Sequence, residues 1–334
     1  MKNIWSIKNM LKINNSADRP ILFMLCGLPG SGKSFQAEKL SLNQDTKIVS
    51  SDAIREELFQ NINEQNYNNK VFEVLKYRVK DHLLQGENVI IDSTNISWKR
   101  RKAFLQELNN IPCWKYCLLI ATPFEICLER NNQRDRKVPY NVIERMYRNL
   151  DIPWYNEGWD NIFVEYTDSK HKEAYDHWSR FIFDTLDFNQ ESKWHKETLG
   201  EHCRLCAEYV TKQVNELNCL NEKETLVAAA LHDCGKPFCK AFKDSKGNPS
   251  EFAHYYSHEN VSAYNSLFYK KDEGTDNLLV AALIRWHMVL HFFKDWEPKT
   301  IEKYEKEFTS HKWLNQMEFY KALKILHEGD KNAH

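Results

Sequence analysis

A glycine-rich segment, GLPGSGKS, spans residues 27–34 of this 334-residue chain. It lies between an apolar run and a predicted helix, and in that context backbone N–H groups turn inward around phosphate oxygens. The lysine of such a segment reaches the β- and γ-phosphates, and the hydroxyl side chain after it binds Mg²⁺. We therefore predict a site for ATP or another nucleoside triphosphate with Mg²⁺, formed by Gly27, Gly30, Ser31, Gly32, Lys33 and Ser34.

Polar residues also follow the next two predicted strands, whose carboxyl ends face the ligand crevice of a parallel sheet. Asp52 is predicted to accept the proton of an attacking hydroxyl, and Arg55 to hold an anion of the acceptor. The alternative is that Asp52 only caps the following helix. The segment DSTN at 92–95 is suited to orient Mg²⁺ through its carboxylate and to bind substrate through Thr94 and Asn95, although a turn that closes the strand explains it equally well.

Two arginines later in the same half suit a lid over the nucleotide. Arg130 and Arg134 are four residues apart and are predicted to share one helical face. Guanidinium groups stabilise the charge of a phosphoryl group as it is transferred. We therefore expect both arginines to bind the nucleotide and Arg134 to take part in catalysis.

Histidine is concentrated in the second half of the chain, where twelve of the thirteen histidines follow residue 170. Imidazole and carboxylate together form the ligand set that divalent transition metals prefer. A series of these residues falls on successive predicted helices and predicts one or two ions of Mn, Co, Ni, Zn or Fe, with the ligands His202, His232, Asp233, His258, His287 and Asp330. A carboxylate that bridges two ions, as Asp233 is placed to do, suits hydrolysis of a phosphate ester.

The pattern leaves the role of some neighbouring acidic and histidine residues open. Glu328 is an alternative to Asp330 as the last ligand, because both lie close to the C-terminus. His195, His254 and His291 are predicted to lie outside the ligand set, either behind it or at the surface.

The elements that must position these residues divide the chain in two. From 21 to 166, short apolar runs alternate with helical stretches, which predicts an α/β domain with a parallel sheet covered by helices. The strands are predicted at Ile21–Cys26, Lys47–Ser50, Asn88–Ile91, Lys115–Ala121 and Asn161–Tyr166. After that the strand pattern stops, so we predict domains at 1–168 and 169–334, the second of them all-α.

Three local signals predict where helices begin and end. Thr122 before Pro123 and Thr198 before Glu201 are predicted N-caps. Gly235 is predicted to end the helix that carries His232, in the left-handed conformation.

Composition limits the class of protein. The formal charge is −1, so nucleic acid would be bound by local patches such as the basic run at 98–102, which is otherwise a solvated helix face. Nine cysteines without a disulfide framework, no apolar run of membrane-spanning length, and an N-terminus interrupted by Lys and Asn predict a soluble, cytoplasmic protein without a membrane partner.

The first half resembles the polynucleotide 5′-kinases of phage and bacterial end-healing systems. The resemblance rests on GLPGSGKS, SDAIR, DSTN and RNNQRDRKVP followed by VIERM, in that order between residues 21 and 166. It implies a phosphate-loop lysine, an Mg²⁺ ligand, a general base, an acceptor-phosphate contact and a lid arginine at Lys33, Ser34, Asp52, Arg55 and Arg134, respectively.

The second half resembles the HD-domain phosphohydrolases, whose pattern is H, then HD, then H, H and D, over residues 185–334. The resemblance implies core metal ligands at His202, His232, Asp233 and Asp330, and ligands of a second metal at His258 and His287. It also implies that Lys236 lies near the substrate phosphate.

Together the two halves resemble a bifunctional end-healing enzyme with the kinase placed first. The resemblance implies phosphorylation of 5′-hydroxyl ends of RNA or DNA, metal-dependent removal of a 2′,3′-cyclic or 3′-phosphate, and a separate ligase in the same pathway. One alternative is a small-molecule or nucleoside kinase fused to an HD nucleotide phosphohydrolase. Another is a nucleotide-gated interaction module without enzymatic activity.

Overall fold

A computed structural model describes residues 18–42, 46–61, 66–167, 184–269, 274–309 and 316–333. These residues form two compact units, one up to residue 143 and again from 153 to 167, the other over 144–152 and from 184 onward. The predicted division at 168 falls among residues 168–183, outside the described part, as does the N-terminal segment at 1–17. Residues 144–152, predicted in the first domain, group with the second unit.

A five-stranded parallel sheet forms the centre of the first unit, in the order β2-β3-β1-β4-β5. The strands are β1 Ile21–Cys26, β2 Lys47–Ser50, β3 Val89–Asp92, β4 Trp114–Ala121 and β5 Asn161–Tyr166. All of β1 is buried, as expected for a strand covered by helices on both faces. The predicted α/β fold of this half is confirmed.

The helices of the first unit connect these parallel strands. They are α1 Lys33–Leu42, α2 Ser51–Phe59, α3 Asn68–Leu84, α4 Trp98–Glu107, α5 Phe124–Asn132 and the beginning of α6 Tyr140–Arg148. Ser50 is the N-cap of α2, with its hydroxyl accepting a hydrogen bond from the N–H of Ala53 (3.4 Å). Asp52 therefore lies inside the first turn and does not cap the helix.

The second unit is mainly helical, as predicted for the HD half. Its helices are α7 Leu199–Glu216, α8 Glu222–Leu231, α9 Lys236–Cys239, α10 His258–Ser266, α11 Asn277–Trp286, α12 Pro298–Thr309 and α13 Gln316–Asn332, with a 3₁₀ helix at His287–Asp295. An antiparallel pair, β6 Ala241–Lys243 and β7 Pro249–His254, interrupts them, so the prediction of an all-α domain misses this hairpin.

Two of the three predicted helix signals differ in the structure. Thr198 caps α7 through the N–H of Glu201 (3.2 Å), as predicted. Thr122 instead donates its hydroxyl to the carbonyl oxygen of Ser31 (3.0 Å), and Pro123 occupies the N-cap position of α5. Gly235 is right-handed (φ −82°), and a side chain there would overlap the backbone of α10, so close packing explains this glycine.

Candidate phosphate-transfer site and candidate metal centre

The glycine-rich segment forms a tight loop between β1 and α1. Gly30 and Gly32 have φ of 82° and 95°, a conformation that disfavours side chains. A side chain at Gly30 would also overlap the backbone oxygen of Cys127. Lys33 is buried and donates to the carbonyl oxygen of Leu28 (2.7 Å). The lysine side chain therefore lies within the loop and is hydrogen-bonded to the loop backbone.

Burial lowers the pKa of Lys33, and the charge of Arg134 acts in the same direction, whereas Asp92 opposes both. Ser34 Oγ donates to Asp92 Oδ2 (2.8 Å). Burial in turn raises the pKa of Asp92. A hydroxyl and a carboxylate thus meet beside the loop, and such oxygen ligands suit Mg²⁺.

The remaining polar residues after β3 form hydrogen bonds with the backbone of the phosphate loop and of neighbouring residues. The carbonyl oxygen of Thr94 accepts from the N–H of Gly27 (3.0 Å). The amide of Asn95 donates to the carbonyl oxygens of Leu25 (2.7 Å) and Ser93 (3.2 Å). Both contacts use the amide nitrogen of Asn95 and leave its amide oxygen to accept, so substrate contacts by Thr94 and Asn95 stay predictions.

Asp52 lies between two arginines. Arg55 Nη1 donates to Asp52 Oδ1 and Arg136 Nη1 to Asp52 Oδ2, each at 2.6 Å. The side chain of Asp52 is 49% exposed, whereas that of Arg55 is 6% exposed. Arg55 Nη2 also donates to Asn68 Oδ1 (2.8 Å), and its buried Nε has no hydrogen-bond partner within the described part of the chain. An accessible carboxylate flanked by guanidinium groups suits a hydroxyl acceptor that carries a nearby anion.

The two predicted lid arginines do not share a helical face, because α5 ends at Asn132 and Arg134 lies beyond it. Arg130 donates through Nη1 to Thr167 Oγ1 (3.0 Å) and through Nη2 to the carbonyl oxygen of Thr167 (3.3 Å). Arg134 is close enough to Lys33 and Asp92 to affect both pKa values. Sequence reasoning did not identify Arg136, which contacts Asp52.

The basic run at 98–102 has a structural residue at its centre. Arg101 is buried and forms a bidentate ion pair with Glu157, with Nη2–Oε1 at 2.6 Å and Nε–Oε2 at 2.7 Å. It also donates to the carbonyl oxygen of Asn95 (2.8 Å), next to the phosphate loop. Arg101 is therefore inaccessible to nucleic acid, while Lys99 and Arg100 are exposed.

The predicted metal ligands of the second unit converge into two groups of buried side chains. In the first group, His202 Nε2 lies 3.2 Å from His232 Nε2, 3.1 Å from Asp330 Oδ1 and 3.4 Å from Asp233 Oδ2. In the second group, Asp233 Oδ1 lies 3.0 Å from His258 Nε2 and 3.8 Å from His287 Nε2. Asp233 thus turns one oxygen to each group, the arrangement that a bridging carboxylate requires.

Backbone carbonyls fix the orientation of all four imidazoles. Each Nδ1 lies within hydrogen-bond distance of a carbonyl oxygen, at 3.0 Å for His202, 2.9 Å for His232, 2.8 Å for His258 and 2.6 Å for His287. A carbonyl only accepts, so Nδ1 carries the proton and the Nε2 lone pair of the neutral ring faces the centre. Among the described residues, Nε2 of His287 has no hydrogen-bond partner although it is buried, and Nε2 of His258 faces Asp233 Oδ1, as expected for atoms that bind a metal.

Charge in this centre also suits cations. Burial alone would raise the pKa of Asp233, but Lys236 and the surrounding histidines lower it well below its usual value. Burial would likewise raise the pKa of Asp330, but the neighbouring histidines, including His291 (Nε2–Oδ2 2.8 Å), lower it well below its usual value. Both carboxylates are therefore ionised. His195, Glu197 and His202 form a third group, but His202 Nδ1 donates to Ala333 and cannot also bind a metal there.

Sequence reasoning missed Gln190, one of the residues next to Lys236. The Lys236 ammonium contacts Asp233 Oδ2 (2.6 Å), Gln190 Oε1 (2.9 Å) and His195 Nε2 (3.4 Å). Gln190 carried no signal in the sequence, and His195 was predicted to lie outside the ligand set, which agrees with its position behind Lys236. Burial, followed by the Lys236 charge, lowers the pKa of His195 to about 4.

Comparison with known proteins finds one family match in each half of the chain. Residues 22–153 match the AAA domain family, and residues 199–331 match the HD domain family. These ranges cover the phosphate loop and all six predicted metal ligands. Within the described ranges, no helix combines the length and apolar character needed to cross a membrane.

Individual relatives match only part of the chain. The L-seryl-tRNA(Sec) kinase of Methanococcus maripaludis is 28% identical over 145 residues, 42% of this chain and 56% of that protein. Transcription factor bHLH140 of Arabidopsis thaliana is 26% identical over 160 residues, 45% of this chain and 16% of that protein. The chain thus spans little more than half of the first relative and much less of the second.

Among solved structures, a chain of the Pnkp1/Rnl/Hen1 RNA repair complex is 26% identical with a TM-score of 0.35, over 41% of this chain and 46% of that one. The family matches agree with the fold of each unit and with the predicted order of the two. The chain therefore combines a match to the AAA domain in its first half with a match to the HD domain in its second half.

Proposed function

We propose that this protein repairs nucleic-acid ends. Its first unit transfers a phosphoryl group from ATP or another nucleoside triphosphate to a 5′-hydroxyl, and its second unit removes a 2′,3′-cyclic or 3′-phosphate. The observation that carries the proposal is that one chain holds both a phosphate loop with an arginine-flanked Asp52 and a paired histidine–carboxylate centre that shares Asp233. A separate ligase would seal the resulting ends.

In the kinase unit, the residues suit transfer to a hydroxyl. Lys33 and Arg134 supply positive charge at the transferring group, and Ser34 with Asp92 would hold Mg²⁺. When bound, Mg²⁺ neutralises charge on the β- and γ-phosphates. Asp52 accepts the proton of the attacking 5′-hydroxyl. Arg55 and Arg136 hold an anion of the acceptor, such as the phosphate next to its terminal nucleoside.

In the HD unit, the two groups of residues would hold two divalent transition metals, with Asp233 contributing an oxygen to each. Such ions supply Lewis-acid activation of water and of the phosphate ester. The protein fixes its imidazoles through backbone carbonyls and keeps its carboxylates ionised. Lys236 brings an ammonium group to the edge of this centre, where it can contact the phosphate of a substrate.

The kinase relative supports an acceptor that is attached to RNA. Its name describes a kinase that acts on a seryl-tRNA, so a related chain phosphorylates a hydroxyl carried by a nucleic acid. One observation favours the alternative function, a small-molecule kinase fused to an HD nucleotide phosphohydrolase. The buried ion pair of Arg101 removes the centre of the basic run that favoured nucleic acid.

A comparison of acceptors separates the two functions. The protein is incubated with labelled ATP and Mg²⁺, with either a 5′-hydroxyl oligonucleotide or the matching free nucleoside as acceptor. We expect the oligonucleotide to be phosphorylated with the higher kcat/KM, because Arg55 and Arg136 bind its first phosphate. Preference for the nucleoside would refute the repair function and support the alternative.

A further inference from the structure

Lys236, at the edge of the metal centre, has an acceptor for each of its three N–H groups. These acceptors are Asp233 Oδ2, Gln190 Oε1 and His195 Nε2, at 2.6, 2.9 and 3.4 Å. The side chain of Lys236 is only 6% exposed, so these contacts set the direction of its ammonium group. Asp233 belongs to the metal centre, but the other two acceptors come from a separate segment.

That segment, the 189–198 loop, is held in place at several points. Its ends pair at Asn189 and Thr198, next to the start of α7. The carbonyl oxygen of Glu191 accepts from the N–H of Ala253 (2.9 Å), and that of Gln190 accepts from the Tyr255 hydroxyl. The loop is thereby attached to β7 and to the segment that precedes α10. Gln190 itself is fully buried, so its contact with Lys236 is shielded from water.

Within the loop, the ring of His195 has a defined orientation. The N–H of His195 donates to Ser192 Oγ (3.0 Å), and its Nδ1 lies 2.9 Å from Glu197 Oε1. A carboxylate accepts the Nδ1 proton, which leaves the Nε2 lone pair of the neutral ring facing the donor-only ammonium of Lys236. Gln190 and His195 thus hold two of the three N–H groups, and the third, which faces the predicted metal ligand Asp233, is the one that Lys236 would turn to a phosphate oxygen.

We infer that His195 and Gln190 are positioning residues for Lys236: they hold its ammonium at the edge of the metal centre, where it binds the substrate phosphate. The inference rests on the proposed hydrolysis of a phosphate ester at this centre. His195 is not among the predicted metal ligands and acts on the phosphate through Lys236, while its ring also packs edge-on against that of His202 (ring centroids 4.8 Å apart). Removal of its acceptor atom therefore weakens phosphate binding only while Lys236 is present.

A double-mutant cycle tests this dependence. Binding of inorganic phosphate to the full-length protein loaded with Mn²⁺ is measured by calorimetry for wild type, His195→Leu, Lys236→Ala and the double variant. We expect His195→Leu to weaken binding about fivefold in the wild-type background and less than about twofold in the Lys236→Ala background, since residues in contact are non-additive. His195→Gln, which restores an acceptor, should recover most of the affinity.

Two further measurements keep the outcome unambiguous. The content of bound Mn²⁺ should be the same in His195→Leu and wild type, and loss of metal would overturn the inference. Equal weakening in both backgrounds would also overturn it. If His195→Leu does not fold, Gln190→Leu takes its place in the cycle. We expect Gln190→Leu to show the same non-additivity with Lys236→Ala in phosphate binding.

The outcome is distinguishable from failure of the proposed function. If wild type binds phosphate with the expected coupling but hydrolyses neither a 3′-phosphate nor a 2′,3′-cyclic phosphate, the hydrolase proposal fails and the positioning role stands. If the Mn²⁺-loaded protein binds no phosphate, the positioning role fails.

Discussion

At the scale of residues, we propose that phosphorylation depends on Asp52. It lies in the first turn of α2, half exposed, and accepts from Arg55 and Arg136 through different oxygens. Because Ser50 caps the helix, the carboxylate of Asp52 has no capping role to explain its position. Its position at the carboxyl edge of the sheet is that of a group acting on the acceptor.

Asp52→Asn should lower 5′-phosphorylation by at least about 100-fold, the usual contribution of a general base, because the amide cannot accept the hydroxyl proton. The assay is transfer of labelled phosphate from ATP to a 5′-hydroxyl oligonucleotide. Asp81→Asn, at an exposed position of α3, is the matched control and should retain wild-type activity. Full activity of Asp52→Asn would contradict the assignment.

Residues that belong to a motif or to the ordered histidine–aspartate series were predictable from sequence, and single residues that meet a distant partner outside such a pattern were not. Lys33 and Ser34 belong to one contiguous segment, so their type and spacing were informative. Arg136 meets Asp52 across 84 positions, and Gln190 meets Lys236 across 46. Only the folded chain brings such pairs together, and a single arginine or glutamine in a polar segment carries no sign of its partner.

At the scale of elements, the phosphate loop can be compared with an ordinary turn of the same backbone conformation. Gly30 and Gly86 have φ of 82° and 80°, but a side chain at Gly30 would overlap the backbone of Cys127, whereas no atom of the described residues lies within 4 Å of one at Gly86. Both alanine substitutions strain the backbone by about 1 kcal/mol.

Gly30→Ala should therefore lower the melting temperature more than Gly86→Ala does, and it alone should weaken ATP binding. Thermal unfolding and nucleotide titration of the two variants measure the difference. Equal effects on ATP affinity would show that the loop does not require the close approach to Cys127.

The basic run at the start of α4 offers a second comparison. Arg101→Met should destabilise the first unit by about 3 kcal/mol, because it leaves Glu157 buried without its partner. Arg100→Met, at the exposed neighbouring position, should change the free energy of unfolding by less than about 0.5 kcal/mol. Chemical denaturation measures both. A small effect of Arg101→Met would return this residue to the candidates for nucleic-acid contact.

Strands with continuous apolar runs were predictable, because burial on both faces leaves little room for other residues. The sequence missed the β6–β7 hairpin because its strands are short, and β7 is largely exposed and polar. It also misassigned Gly235, which is required by packing against α10 rather than by its own backbone conformation. Packing between segments that are distant in the chain leaves no local pattern in the sequence.

At the scale of the whole molecule, each unit contains its own set of chemical groups. The phosphate loop, Asp52 and the arginines lie in the first unit, and all six predicted metal ligands lie in the second. We therefore expect the two activities to be separable by substitution.

His232→Ala combined with Asp233→Ala should remove bound transition metal and 3′-end hydrolysis while leaving 5′-phosphorylation intact. These changes delete one imidazole of the first group and the carboxylate shared by both groups. Elemental analysis and the two end assays measure the result. Unchanged metal content would refute the ligand assignment, and loss of both activities would show that the sites depend on each other.

The most direct test of nucleic-acid end repair uses one RNA oligonucleotide with a 5′-hydroxyl and a 2′,3′-cyclic or 3′-phosphate, incubated with ATP, Mg²⁺ and Mn²⁺. Intact-mass measurement follows both ends at once. If the protein repairs nucleic-acid ends, the product has gained a 5′-phosphate and lost the phosphate at its other end. An RNA unchanged at both ends, under conditions in which the protein phosphorylates a free nucleoside, would contradict it.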